Sequence, residues 1–275
     1  MSKSLIVAHF LSLPCCVITG FVLAATVRRS QQIRDYILAV TFISIPVSVL
    51  THFVLETLKR IRQEKLDLYF NQADALVGHP ANHVALLLKS VPVLAALASF
   101  DYSAWQMFLF AALVSTALWR NYDEAKRGLI AFVLCGGLAL PIYWLVPVAG
   151  PCYGLPHFPE NYSGSLHVVS INAYPNGVPS VHFAMALIVF WLLRHWRIGR
   201  IVGAVHLSLT TLATLGLGEH YAMDLFLAAP YAWAVLRFSR LASVDARSCV
   251  RQHRLDAESE CHQVNRPSVT ITVSE

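Results

Sequence analysis

Long apolar runs broken by short polar punctuation make up most of the chain. Eight of them are long enough, or nearly so, to cross a hydrocarbon core, which needs about 20 helical residues. They fall at 5–27, 36–58, 83–100, 103–119, 128–147, 179–196, 201–218 and 220–238, the third and fourth being short. The first run is too long for a signal peptide and ends in Arg28-Arg29 instead of a small-residue cleavage site, so it reads as a retained anchor. Between 66 and 77 the period changes. Leu66, Phe70, Ala73, Leu76 and Val77 recur at helical spacing, with Asp67, Asn71 and Asp74 opposite. This pattern predicts an amphipathic helix on the inner membrane interface or packed against the bundle. Residues 148–178 hold no Lys or Arg and are rich in Pro, Gly, Tyr, Asn and Ser, the composition of a structured loop. Residues 239–275 are polar, mixed in charge and weakly periodic, which predicts a disordered cytoplasmic tail. The expected organisation is two N-terminal spans (1–58), an interfacial segment (59–82), a six-helix core (83–238) and the tail.

Composition fixes the class. The chain is 56% hydrophobic and 13% charged, with a mean hydropathy of +0.54, whereas soluble domains carry roughly 25% charged residues. The expected fold is all-α, a polytopic transmembrane helical bundle. Six cysteines show neither CxxC pairs nor metal-ligand spacing, so no disulfide framework or metal site is expected.

If all eight runs cross, both termini share a side, and most of the 21 lysines and arginines join them there. The positive-inside rule makes that side cytoplasmic and turns the 148–178 loop outward, to a periplasm, a lumen or the exterior. Arg28, Arg29 and Arg34 are the exception, because this count leaves them on the outer side.

Two short motifs carry the chemistry: Pro179-Ser180-Val181-His182, and Gly218 to Asp224, which contains His220, Tyr221 and Asp224. Ionisable groups at a membrane edge are costly and mark function by default. Asn176-Gly177-Val178 reads as a turn, with Pro179 at the first position of the next helix. Ser180, Val181 and His182 then lie in its first turn, where free amides and the helix dipole favour an anion. The two helices between His182 and His220 run inward and back, each about 27 Å long for 18 residues. They return His220 to the depth of His182. His220 and Asp224 are four apart on one helix face. A carboxylate there fixes one imidazole tautomer and leaves the other nitrogen as nucleophile or base. These parts suit phosphoryl transfer through a phosphohistidine, with no metal or cofactor needed.

Pro-Ser-Val-His and His-Tyr-Ala-Met-Asp resemble the second and third signature motifs of the type 2 phosphatidic acid phosphatase superfamily. The resemblance is closest to its inositol phosphorylceramide synthase-like branch, the inositolphosphotransferases. It implies a six-helix core with His220 as nucleophile, Asp224 as its orienting partner and His182 as general acid. Ser180, Val181, Gly177, Asn176, Tyr221 and His157 are the candidate substrate contacts, with His167 beside them in the outer loop.

The chain departs from the family pattern in its cations. The KxxxxxxRP motif would fall on Tyr143 to Gly150-Pro151, which keeps the proline and loses both cations. The Ser-Arg pair ahead of the last histidine would fall on Ala213-Thr214. A phosphate monoester carries nearly two charges at neutral pH and is normally held by such cations, so their loss favours a diester donor and head-group transfer. The expected partners are the bilayer, a phospholipid or lipid phosphate, and a lipid alcohol or water, with no nucleic acid. A lipid phosphatase or pyrophosphatase of the same fold is the alternative reading. A non-catalytic transporter or scaffold that kept the motifs is the third.

Overall fold

The computed structural model describes residues 3–27, 30–119, 121–160 and 169–264, so His167 lies outside the described residues. Helices α1 (Lys3–Thr26) and α2 (Gln31–Ile61) form an antiparallel hairpin, closed where Gly20 leaves no room for a Cβ beside Thr41. Three short elements follow: strand β1 (Glu64–Lys65) and helices α3 (Asp67–Ala75) and α4 (Pro80–Ser90). The bundle then continues with α5 (Pro92–Ser103), α6 (Trp105–Trp119) and α7 (Tyr122–Leu145). The loop carrying the short α8 (Pro151–Gly154) and strand β2 (Val169–Ser170) leads to α9 (Val181–Leu193), α10 (Arg197–Gly216) and α11 (Ala222–Val264). The fold is all-α, with β1 and β2 pairing only as two-residue strands. α2, α7 and α10 are each long and apolar enough to cross a membrane alone. Phe53, Val205 and Trp233 are exposed on the outside of the bundle, as expected of a surface solvated by lipid.

The path differs from eight simple crossings. α4 does not cross. Ala81 near its start packs with Leu215 and Ala222, and Leu88 near its end closes over Gly216, so both ends meet the same end of α10. α4 is turned 117° from α5. From there α5 and α6 descend together beside α10, from Ala98 against Ala213 to Phe108 stacked on His206. Among the described residues the chain therefore makes seven passes: α1, α2, α5 with α6, α7, α9, α10 and α11. Hydropathy does not show this bend, because α4 and α5 pass together as one apolar run despite Lys89.

The odd count moves the 59–82 segment to the other face. The Leu66 amide bonds the Pro147 carbonyl, and β1 pairs with β2, so this segment lies on the same side as the 148–178 loop. The interfacial helix also faces the opposite way from its pattern. Asp67, Asn71 and Asp74 are buried, while Tyr69, Leu76 and Val77 are exposed. α11 continues as helix to Val264, through most of the stretch whose composition predicts a disordered tail.

Candidate active site

His182 and His220 arrive from different helices, and their ring centroids lie 6.5 Å apart. Ser180 is the N-cap of α9, its hydroxyl accepting from the Phe183 amide at 3.4 Å, and His182 follows in the first turn. Pro179 thus precedes the cap instead of opening the helix. Its carbonyl accepts from the Tyr143 hydroxyl at 3.3 Å. His220 sits in the turn between α10 and α11, with its amide donating to the Thr214 carbonyl at 3.0 Å.

The His220 ring is fixed by a carbonyl. Nδ1 is 3.0 Å from the Gly177 oxygen and 3.4 Å from Asp224 Oδ2. A carbonyl can only accept, so Nδ1 carries the proton and Nε2 presents its lone pair. Nε2 is buried and has no hydrogen-bond partner among the described residues. Asp224 Oδ2 also accepts the Tyr221 amide at 2.9 Å, which caps its own helix. Asp224 therefore supports the imidazole as the second of two acceptors. His182 is held by aromatic rings. Tyr102 stacks on it at 4.3 Å with its hydroxyl 3.4 Å from Nδ1, and Trp105 meets it edge-on at 5.6 Å.

Two acids of α3 tie down the turn that carries His220. Asp67 accepts the amides of Ala149 and Gly150 at 3.0 and 2.7 Å and the Tyr221 hydroxyl at 3.2 Å. Burial nevertheless pushes its carboxyl up to about 6. Asp74 accepts the Ala222 and Met223 amides at 2.9 and 3.1 Å, filling the first turn of α11. Burial raises its carboxyl too. Glu219, buried beside His220, accepts from the Tyr153 hydroxyl at 3.2 Å, and burial again shifts its carboxyl upward. Deeper in the bundle, Asp101 of α5 takes His206 and Thr210 of α10 at 2.8 Å each, next to Tyr102 in sequence.

Several candidate contacts are placed differently from their sequence reading. Gly177 orients His220 through its carbonyl. Its own Cβ position is closed by Val148, 2.8 Å away. Tyr221 is fully buried, with its hydroxyl on Asp67, so it faces the scaffold and not a ligand. His157 is exposed in the α8 loop at φ 77°, and its ring makes no described contact with either histidine. Asn176 and Val181 are half-buried beside His182 and line one cavity with it. Lys89 is exposed at the end of α4. Trp105, near a segment end and so readable as an interface anchor, packs on His182 instead. Asp67, Asp74, Tyr102 and Asp101 carry no motif. An acid every seventh residue in an apolar-faced helix was the one visible signal, and it resembles an ordinary solvated face.

The absent cations have a structural counterpart. Gly150 stands where the family pattern has arginine, at φ 119°, and a Cβ there would lie 2.3 Å from the Glu219 carbonyl oxygen. That close approach and the left-handed backbone admit only glycine. Thr214, where the other arginine would fall, is fully buried. A family model described as the PAP2 superfamily matches residues 70–238. The chain belongs to the PAP2 superfamily. With the family come phosphatase or phosphotransferase chemistry on lipid phosphates and a membrane setting, which the apolar helices share. No curated protein and no solved structure matches the chain. The match begins within α3, so this PAP2 chain carries α1 and α2 ahead of its family core.

Proposed function

We propose that the chain is an integral-membrane lipid phosphotransferase. It moves a phospho-head-group, such as phosphoinositol, from a phospholipid to a lipid alcohol through a phosphohistidine. The observation carrying this reading is the buried, unpartnered Nε2 of His220, with Nδ1 held on the Gly177 carbonyl and the His182 ring centred 6.5 Å from its own. Ring centres at that separation suit a tetrahedral phosphorus held between the two imidazoles.

Nε2 attacks the phosphorus, and the bond from phosphorus to the diacylglycerol oxygen breaks. The electron pair leaves on that oxygen, which takes a proton from His182. Asp224 and the Gly177 carbonyl stabilise the positive charge developing on the imidazole. In the second half the acceptor hydroxyl gives its proton to His182 and its oxygen attacks phosphorus. The phosphorus–nitrogen bond breaks and its pair returns to Nε2.

The donor is a diester. Tyr102, Trp105, the Gly177 carbonyl and Asp224 surround the histidines, and none is a cation. The amides of α11 are occupied by Asp74 and Asp224. A single negative charge is served by what remains, the first turn of α9, better than the dianion of a monoester.

The site faces outward. With seven passes, the α1–α2 turn joins the face that bears Lys126, Arg127, Arg194, Arg197, Arg200 and Arg237. Arg34 at the start of α2 thereby joins that side while Lys59, Arg60, Arg62 and Lys65 join the outer face, and the basic excess stays on the side that the positive-inside rule makes cytoplasmic.

The test is purified protein in mixed micelles, given phosphatidylinositol with and without ceramide. The expected result is acceptor-dependent formation of a new phosphoinositol lipid, lost in His220→Ala. Release of inorganic phosphate from phosphatidic acid, with no acceptor-dependent product, overturns the transferase reading in favour of a phosphatase.

A further inference from the structure

A cavity of about 190 Å³ opens off His182 between α2, α6, α7 and α9. It is an order of magnitude larger than a single water needs. One wall comes from α2, which precedes the residues matched to the family. Ser48, Thr51 and His52 lie on one face of that helix, at positions i, i+3 and i+4. Gln106 and Asn176 complete a polar stripe that ends at His182. The remainder of the lining is apolar, and it contains no Lys, Arg, Asp or Glu. Hydroxyl, amide and imidazole groups within apolar walls recognise a neutral hydroxyl-bearing molecule with a hydrocarbon body, and they offer an anionic head group no counter-charge.

The same helix is fastened to the catalytic loop. The Tyr174 hydroxyl donates to Glu56 of α2, and Lys59 lies over the Tyr174 ring at 4.9 Å. Tyr174 is three residues ahead of Gly177, whose carbonyl holds His220. α2 is therefore both a wall of the cavity and a brace for the site, which explains a long helix packed outside the family core.

We infer that this cavity is the acceptor site, and that α2 reads the neutral lipid alcohol to which the head-group is passed. The assignment rests on the phosphotransferase reading for the word acceptor, and on the cavity alone for the chemistry of its occupant. In this position the alcohol reaches the phosphohistidine past His182, the group that takes its proton.

Gly136 of α7 provides the test. It lines the cavity, and a Cβ on it would meet nothing within 4 Å, so a larger side chain enters open space. The probe is a ceramide with a diazirine in one tail, photolysed on the whole protein in micelles, followed by peptide mapping. The expected label falls on α2 between residues 47 and 55 and drops about ten-fold in Gly136→Leu, while Gly136→Ala stays near wild type. Ser48→Leu fills the same space from α2 and is read in the same way if Gly136→Leu does not fold. Label confined to other helices, or unchanged in a folded cavity-filling variant, overturns the assignment. Label on α2 in a protein that turns over no donor supports the cavity and sinks the transferase reading. Acceptor-dependent turnover with no label on α2 does the reverse.

Discussion

Asp67 Oδ1 accepts the Gly150 amide at 2.7 Å, and this bond fastens a helix outside the bundle to the turn that backs His220. The same carboxylate holds Ala149 and Tyr221, so two loops far apart in sequence are joined at one buried acid. Three acceptor bonds favour its charged form, yet burial dominates and the carboxyl titrates near 6 instead of 3.8. Unfolded chain loses this proton near pH 4, whereas folded protein keeps it to about 6. Over that window the native state binds more protons, so the stabilisation present below pH 4 is lost as pH rises through 6. Its size is about 3 kcal/mol at most. Asp67→Asn removes the titration. Thermal unfolding in detergent should show the wild-type midpoint falling relative to the variant between pH 4 and pH 6. Parallel curves would refute the argument.

Asp74 caps the first turn of α11 with bonds to Ala222 and Met223. Asp74→Ala leaves those amides without a protein partner and is expected to cost about 1–2 kcal/mol, with Asp74→Asn retaining part of it. Because His220 lies two residues before this turn, turnover should fall with stability in Asp74→Ala and recover partly in the amide variant. Midpoints and initial rates measured on the same preparations check both expectations.

The histidine ring has two supports, and they are separable. Asp224→Asn removes the charge that stabilises the imidazolium but leaves the Gly177 carbonyl, which sets the tautomer. Turnover is expected to fall about 10²- to 10³-fold, whereas His220→Ala abolishes phosphohistidine formation. Trapping with donor labelled at phosphorus distinguishes the two. Equal loss in both variants would show that the carbonyl alone does not hold the ring.

The histidines and Asp224 were legible because each must stand at a fixed place relative to a helix start, and that constraint is local in sequence. The supports were not legible, because they come from elements whose position depends on packing. Asp67 and Asp74 look like the wet face of an interfacial helix until α3 is seen to turn that face onto residues 149–150 and 221–223. Tyr102 looks like one aromatic residue among many until α5 places it on His182. The path differs from eight simple crossings for the same reason. α4 and α5 read together as one short span, and only the 117° turn between them and the two-ended contact of α4 with the top of α10 show that α4 lies across the bundle. Removing that crossing shifts every element before it to the other face.

Asp101 of α5 joins His206 and Thr210 of α10 in the bundle interior, where no water can replace a lost partner. Asp101→Leu leaves both without their acceptor and should destabilise the protein by about 1–3 kcal/mol. It should also loosen α5, so Tyr102 stacks less firmly on His182 and turnover per folded molecule falls. Unchanged turnover per folded molecule with a lowered midpoint would confine Asp101 to a role in stability.

Restoring the family's arginine at position 150 is the decisive test of why the cation is missing. If its loss were neutral drift, Gly150→Arg would raise activity on phosphatidic acid. The backbone at φ 119° and the 2.3 Å approach to the Glu219 carbonyl predict the opposite. Strain of about 1–3 kcal/mol for the left-handed backbone, added to the steric clash, should push apart the 149–151 and 218–220 turns. The variant should lose stability and diester transfer together, with no gain in phosphate release from phosphatidic acid. A folded Gly150→Arg protein that hydrolyses the monoester would show that the turn tolerates a side chain and would count against the proposed diester donor.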